Sequence, residues 1–71
     1  MNRFSIGNEV LVSENIASEY ARSRGVVVAV ETRQTGAIQL AEYEVQFKDG
    51  VSRWFLDFQL SIFSANEKQS A

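Results

Sequence analysis

The chain has 71 residues, the size of one small domain, and contains neither cysteine nor histidine. This composition excludes disulfides and removes the usual general bases, thiol nucleophiles and soft metal ligands. Seven lysines and arginines stand against nine acidic residues, which gives a formal net charge of −2. The overall basic footprint typical of nucleic-acid-binding domains is therefore missing. We expect a domain that is not an enzyme and that holds no cofactor or metal.

The short length also bears on stability and association. A domain of this size buries about 60% of the surface that its unfolded chain exposes, so its stability should be on the order of 5 kcal/mol. Without disulfides or a metal, the usual remaining support is a second subunit. We therefore expect a protein partner or self-association. No basic and apolar leader opens the chain and no apolar run approaches 18 residues, which predicts a cytoplasmic protein without membrane contact.

The N-terminal segment predicts a turn and a first strand. Phe4 and Ile6 precede Gly7-Asn8, a dipeptide typical of turns. A strand follows over residues 9–13, with Val10 and Val12 on its inward face because their positions alternate.

A long loop follows this strand and contains a predicted helical turn over residues 14–21. Ser13 is a candidate N-cap, and Glu14 lies in the first turn, where a negative charge is favoured. Ile16 and Tyr20 share one face at the helical period. Two interpretations stay open: the loop closes the barrel as a lid, or it is a binding loop that carries Tyr20.

The most apolar run, residues 26–30, predicts the central strand. It lacks alternation, which indicates that both of its faces are covered. Gly25 at its start favours a bend or a close approach of another backbone. The mostly polar residues 31–39, which include Gly36, predict a flexible loop.

The clearest local signal is a β-hairpin. Two alternating runs, residues 42–48 and 51–56, flank Asp49-Gly50, and an Asp-Gly pair between such runs is a strong turn signal because glycine tolerates positive φ. Residues 57–59 predict a 3₁₀ step into a short last strand over residues 60–63. The small, polar residues 64–71 predict a disordered tail.

This strand pattern resembles the SH3-like barrels, the group that includes Tudor and KOW domains. The resemblance covers residues 6–63 of one domain spanning 1–71. It implies an all-β fold, a five-stranded, partly open barrel with the helical turn in its first long loop, and it specifies no function. The matching segments are residues 7–10, 24–27 and 43–50, Trp54-Phe55 and Leu60.

The hairpin register decides whether Trp54 is buried. A two-residue turn pairs Lys48 with Val51 and places Trp54 in the core. A three-residue loop with Gly50 in a bulge pairs Phe47 with Val51 and leaves Trp54 outside. Sequences of this kind in SH3-like barrels favour the second register, which requires Arg53 to extend its charge out of the barrel edge.

The function that these residues favour is protein interaction or docking, as an accessory subunit of a larger complex. A surface Trp54 with Arg53, Asp57 and Phe58 nearby, joined by Tyr20, would form an aromatic patch rimmed by charge, as in interface centres. The alternative is that Trp54, Phe58 and Tyr20 fill the core.

Three other functions are kept as alternatives. Phe47 is similar to a cage position of Tudor domains, which implies recognition of methylated Lys or Arg. The chain also resembles the tetrameric type II dihydrofolate reductases in length and strand pattern, with residues 52–55 at the pore segment. Arg22, Arg24 and Arg53 at one barrel end would suit single-stranded nucleic acid.

The carboxylates of Glu42 and Glu44 lie two residues apart on one strand face. Such a pair would suit a hard cation or acid–base chemistry, but carboxylates on a strand are mostly solvated. We interpret the pair as part of the outer surface.

Overall fold

The structure, a computed structural model, describes residues 3–63, so the predicted disordered tail over 64–71 lies outside the described residues. These residues form one antiparallel sheet with the strand order β4-β3-β2-β1-β5. The sheet is not closed, and β4 and β5 are its edges. The all-β prediction with five strands is confirmed. The strands are β1 (Glu9–Val12), β2 (Arg24–Thr35), β3 (Ile38–Gln46), β4 (Ser52–Leu56) and β5 (Leu60–Ile62).

The predicted 3₁₀ step is present over Asp57–Gln59, and β5 follows it directly. β5 then pairs with β1, with Val12 opposite Leu60. None of the described segments is a helix with the length and apolar character needed to cross a bilayer.

The predicted helical turn over residues 14–21 is wrong. These residues form consecutive turns and bends, and Arg22 follows with a φ of 70°. The Ser13 hydroxyl accepts a hydrogen bond from the Asn15 amide at 3.1 Å, and the Ser18 hydroxyl accepts one from the Tyr20 amide at 3.0 Å. The Ser13 bond is the one that an N-cap makes, but no helix continues from it. The Ser18 hydroxyl binds the Tyr20 amide, which a helix over 14–21 would use for its own backbone bond, and the loop follows this local geometry.

The centre of the sheet differs from prediction in two respects. β2 is the central strand, as expected, but its outward side chains Val26 and Val28 are 40% and 38% exposed, so only one face is covered. Residues 31–39 are not a loop. β2 and β3 continue as a paired ribbon to a two-residue turn at Gly36-Ala37, where Gly36 has the positive φ of 62° that such turns require at this position.

Gly25 lies close against β3, with no room for a side chain. A Cβ atom at Gly25 would lie 2.6 Å from Cγ1 of Val45 and 2.7 Å from the carbonyl oxygen of Gln46. The predicted close approach at this glycine is therefore present. Two residues further along β2, the register shifts between Val27 and Ala29, which marks a bulge.

The core lies on one face of the sheet, called here the inner face. The N-terminal segment contributes Phe4, whose ring packs edge-on against Tyr43 at a centroid distance of 5.0 Å. The Tyr43 hydroxyl, fully buried with its ring, accepts a hydrogen bond from the Arg3 amide at 3.1 Å. Buried side chains forming this core are Phe4, Val10, Val12, Val27, Tyr43, Val45, Phe47, Phe55 and Leu60.

The hairpin adopts the bulged register. The Phe47 amide donates to the Val51 carbonyl at 2.9 Å, and Gly50 takes a φ of 88°. β4 then pairs with β3 so that Tyr43 lies opposite Phe55 and Glu44 opposite Trp54. Phe55 is 5% exposed and Trp54 is 45% exposed, so Trp54 is a surface residue.

The free edge of β4 is partly occupied by the chain's own side chains. Ser52 and Leu56 lie in the non-hydrogen-bonded pairs of the β3–β4 ladder, so their peptide groups point away from β3. Oε1 of Gln59 accepts from the Leu56 amide at 2.8 Å. The Arg53 guanidinium donates to the Ser52 carbonyl at 3.0 Å. These two bonds flank Trp54 on the edge.

Replacing Gly25 by Ala should lower the free energy of unfolding by about 1–3 kcal/mol, because the new methyl group overpacks against Val45 and the Gln46 carbonyl. Urea unfolding measures this. Val45→Ala removes one of the crowding atoms, so the double variant should lose less than the sum of the two single variants. Strict additivity would contradict the contact as the cause.

Gly50→Val should destabilise by about 2 kcal/mol, because a β-branched residue is strained at a φ of 88°. No atom outside its neighbours lies within 4 Å of a Cβ built at Gly50, so the cost comes from the backbone alone. Gly50→Asn is the matched control and should cost less, since Asn tolerates this region. Equal melting temperatures for the valine variant and the original chain would be incompatible with this turn.

Candidate functional site

Tyr20 anchors the long loop to the inner face. Its ring stacks on Phe47 with a centroid distance of 4.2 Å and an interplanar angle of 12°. Phe47 in turn meets Phe55 edge-on at 6.1 Å. The loop therefore covers one end of the core, which agrees with the lid interpretation of Tyr20.

The Tyr20 hydroxyl also ties the loop to the hairpin turn. It donates to Oδ2 of Asp49 at 2.9 Å, while Oδ1 of Asp49 accepts from the Val51 amide at 3.0 Å. The Val51 amide, followed by the Tyr20 hydroxyl, lowers the pKa of Asp49. The hydrogen bond to Asp49 raises the pKa of Tyr20. Asp49 thus stabilises its own turn and holds the loop.

A shallow groove of about 570 Å³ lies beside this anchor. The bare backbone of Gly25 lies along it, and Arg24 and Lys48 bring positive charge close to the carboxylates of Glu9 and Asp49. The groove combines aromatic side chains with charges of both signs. Its lining residues are Glu9, Tyr20, Ser23, Arg24, Gly25, Val26, Phe47, Lys48 and Asp49.

Arg53 lies at the rim of the inner face. Its register partner is the buried Val45, yet its side chain remains 54% exposed. The guanidinium carbon lies 5.8 Å from the centroid of the Tyr20 ring, and a terminal nitrogen lies 4.0 Å from Glu19. Arg53 extends its charge out of the sheet edge, as the bulged register required.

Trp54 lies on the opposite face of the sheet, called here the outer face. Alternation along β4 separates it from Arg53 and Phe55, and Glu44 lies directly across from it on β3. Other large side chains on this face are also partly exposed, because no loop of the described chain covers them. Alternation and register assign to it Val26, Val28, Ile38 and Leu40.

The remaining predicted site residues lie apart. Asp57 forms an ion pair with Arg3 at 2.8 Å, which fixes the 3₁₀ turn to the N-terminal segment. Phe58 is 71% exposed on that same turn. The structure therefore brings Tyr20 and Arg53 together with Asp49, and it separates them from Trp54 by the thickness of the sheet.

The exposed valines of the outer face are functional candidates that sequence reasoning missed. The run over residues 26–30 was expected to be covered on both sides, although a strand with one open face can have the same composition. Ile38 lies in the predicted loop over residues 31–39, and Leu40 lies between that loop and the predicted strand over 42–48, so neither was assigned to a strand. The signal that was available is their alternation with Gln39.

The residues predicted for methyl-lysine or nucleic-acid recognition already contact other side chains of this chain. Phe47 is 5% exposed beneath Tyr20, so a cage at Phe47 would require the loop to move. Each of the three arginines proposed for nucleic acid has a carboxylate neighbour: Arg22 pairs with Glu14 at 3.3 Å, Arg24 with Glu9 at 3.5 Å and Arg53 with Glu19 at 4.0 Å.

No protein-family model matches this chain, and neither the curated protein sequences nor the solved structures give a match.

Tyr20→Phe should raise the pKa of Asp49 towards its usual value while keeping the ring stack on Phe47, because the variant loses only the hydroxyl donor. The carboxyl carbon of Asp49, followed by NMR through an acid titration, measures this. The pKa should stay partly depressed, since the Val51 amide remains. An unchanged Asp49 titration would contradict the bond.

The hydrogen-bonded pair of Tyr20 and Asp49 predicts how the free energy of unfolding depends on pH. The lowered pKa of Asp49 stabilises the fold above its unfolded-state pKa, and this contribution disappears as the pH falls through the folded-state value. The raised pKa of Tyr20 stabilises the fold below about pH 10, and this contribution is lost at higher pH. In Tyr20→Phe the acid dependence should weaken, because the Val51 amide still binds Asp49, and the alkaline contribution of Tyr20 should disappear with its hydroxyl.

Proposed function

We propose that this chain is a small, non-catalytic protein-interaction module with an SH3-like fold, which docks a protein partner through the outer face around Trp54. An accessory subunit of a larger complex is the role that fits it. The proposal rests on one observation: the single Trp of the chain lies 45% exposed on a sheet face that carries further exposed apolar side chains and that no described segment covers.

Several features support the SH3-like part of the proposal. The pattern that the resemblance implies agrees with the successive antiparallel strands and the Asp-Gly hairpin. It also agrees with the 3₁₀ turn that leads into a short strand beside β1. The long loop between β1 and β2 packs over one end of the core through Tyr20.

The energetics of burial favour a partner at the outer face. A tryptophan is the residue most enriched among those that dominate binding energy, and such residues lie amid apolar neighbours that exclude water. Val28 and Leu40 are 38% and 37% exposed on the same face. Burying these side chains would recover about 25 cal/mol for each square ångström of apolar surface removed from water.

Charge argues for a foreign partner rather than a second copy. Glu31, Glu42 and Glu44 share the outer face with Arg33 by register. Two copies that placed this face together would bring carboxylates against carboxylates, which costs free energy. We therefore assign the face to another protein, and self-association is an outcome that the experiment can reveal.

Light scattering coupled to size exclusion at two salt concentrations gives the native mass. A monomer at both concentrations is the expected result. A dimer that dissociates on substitution of Trp54 would assign the outer face to self-association and overturn the choice of a foreign partner.

Trp54→Ala should lower stability by about 1 kcal/mol or less, because the side chain is half exposed and lies outside the core. It should remove most of the proteins that the original chain retains from its native lysate, measured by quantitative mass spectrometry. Phe58→Ala is the control, since Phe58 is exposed on the 3₁₀ turn. Loss of capture with Phe58→Ala alone would move the site to that turn.

A further inference from the structure

The ion pairs leave a surplus of negative charge at defined positions. Residues 3–63 carry eight carboxylates, five arginines and one lysine. Each of these arginines lies within 4.0 Å of a carboxylate, the partners being Asp57, Glu14, Glu9, Glu42 and Glu19. Within the described residues, the carboxylates outside such pairs are Glu31, Glu44 and Asp49. Asp49 is held by Tyr20, so the surplus lies at Glu31 and Glu44.

Glu44 is the closest cross-strand neighbour of Trp54. The bond from the Phe47 amide to Val51 makes residues 47 and 51 a hydrogen-bonded pair, and alternation makes Glu44 and Trp54 a non-hydrogen-bonded pair. Side chains in such pairs approach most closely, with Cβ atoms about 4.5–5.5 Å apart. The indole and the carboxylate therefore stand side by side on the outer face.

An indole beside a carboxylate is a receptor for a cation. The face of a Trp ring attracts a guanidinium within about 6 Å, and a carboxylate accepts two parallel hydrogen bonds from the same group. An arginine satisfies both neighbours at once because its guanidinium is planar and stacks on rings. A lysine ammonium offers the charge without the planar fork.

We propose that the outer face recognises an arginine of the partner, whose guanidinium stacks on Trp54 and pairs with Glu44, while neighbouring apolar side chains of the partner cover Val28. This inference deepens the proposed function and rests on it. Glu31 adds negative charge one strand away, opposite Glu42, so the partner segment is basic beyond this one residue.

The chain's own arginines do not occupy the position beside Trp54 and Glu44. Arg33 lies on the outer face but pairs with Glu42 at 3.2 Å. Arg53, although adjacent to Trp54 in sequence, projects from the opposite face and meets Glu19. Within the described residues, no arginine pairs with Glu44, so the indole–carboxylate pair can accept a cation from another molecule.

Trp54 fluorescence tests the proposal directly, because the chain contains one Trp. The probes are two synthetic octapeptides, one alternating Arg with Val and one alternating citrulline with Val. Citrulline keeps the shape of the side chain and removes its charge. Glu44→Gln is the test variant, and Glu14→Gln is the matched control because Glu14 pairs with Arg22 in the long loop.

The arginine peptide should change the Trp54 emission saturably, and the citrulline peptide should bind at least about fivefold more weakly. Glu44→Gln should weaken the arginine peptide by about fivefold, and Glu14→Gln should leave it unchanged. Raising the salt concentration should weaken binding of the arginine peptide.

Equal affinities for the two peptides, or an affinity insensitive to Glu44→Gln, would overturn arginine recognition and leave apolar docking at Trp54 intact. No emission change with either peptide would likewise overturn it. The proposed function fails separately, when Trp54→Ala retains the same lysate proteins as the original chain.

Discussion

The positive φ of Gly50 controls which side chains of β4 meet the core. At 88°, the Gly50 backbone makes a three-residue connection that sets Phe47 against Val51, and every later pair on the ladder follows from this one. A shift of one residue would exchange the two faces of β4, because side chains alternate along a strand. Phe55 would then leave the core and Trp54 would enter it. Whether Trp54 lies on the surface therefore depends on a turn that contains neither Trp54 nor its neighbour Glu44.

The open sheet has two faces, and the described segments of the chain cover only the inner one. The N-terminal segment closes the inner face through Phe4 and the Arg3 amide, and the long loop closes it through Tyr20. Both attachments combine ring packing with one polar bond to a buried or turn residue. On the outer face, side chains from three strands remain in contact with solvent, and the unpaired carboxylates of the sheet collect there.

Sequence reasoning succeeded where a local rule decides the structure. The Asp49-Gly50 turn, the 3₁₀ step and the close approach at Gly25 each follow from the conformational limits of a few residues. It failed over residues 14–21, since Ile16 and Tyr20 at helical spacing pack on the core from a loop stabilised by serine hydroxyls. It failed over 31–39 because residues 31–35 are polar and exposed, which leaves the brief alternation around Gln39 as the apolar signal for a strand. The hairpin register determines the faces of Arg53 and Trp54. The predicted single patch of Tyr20, Arg53, Trp54, Asp57 and Phe58 is wrong, because which of these side chains meet depends on tertiary packing that no local pattern reveals.

The two hydrogen bonds on the edge of β4 affect whether copies of the chain can associate edge to edge. An unpaired strand edge is a template on which a further strand can grow. Here Gln59 binds the Leu56 amide and Arg53 binds the Ser52 carbonyl, so an incoming backbone would have to displace both side chains before forming a continuous ladder. Open-ended polymerisation along this edge is thereby disfavoured. The β4 edge of this open sheet is therefore protected by side chains of its own chain.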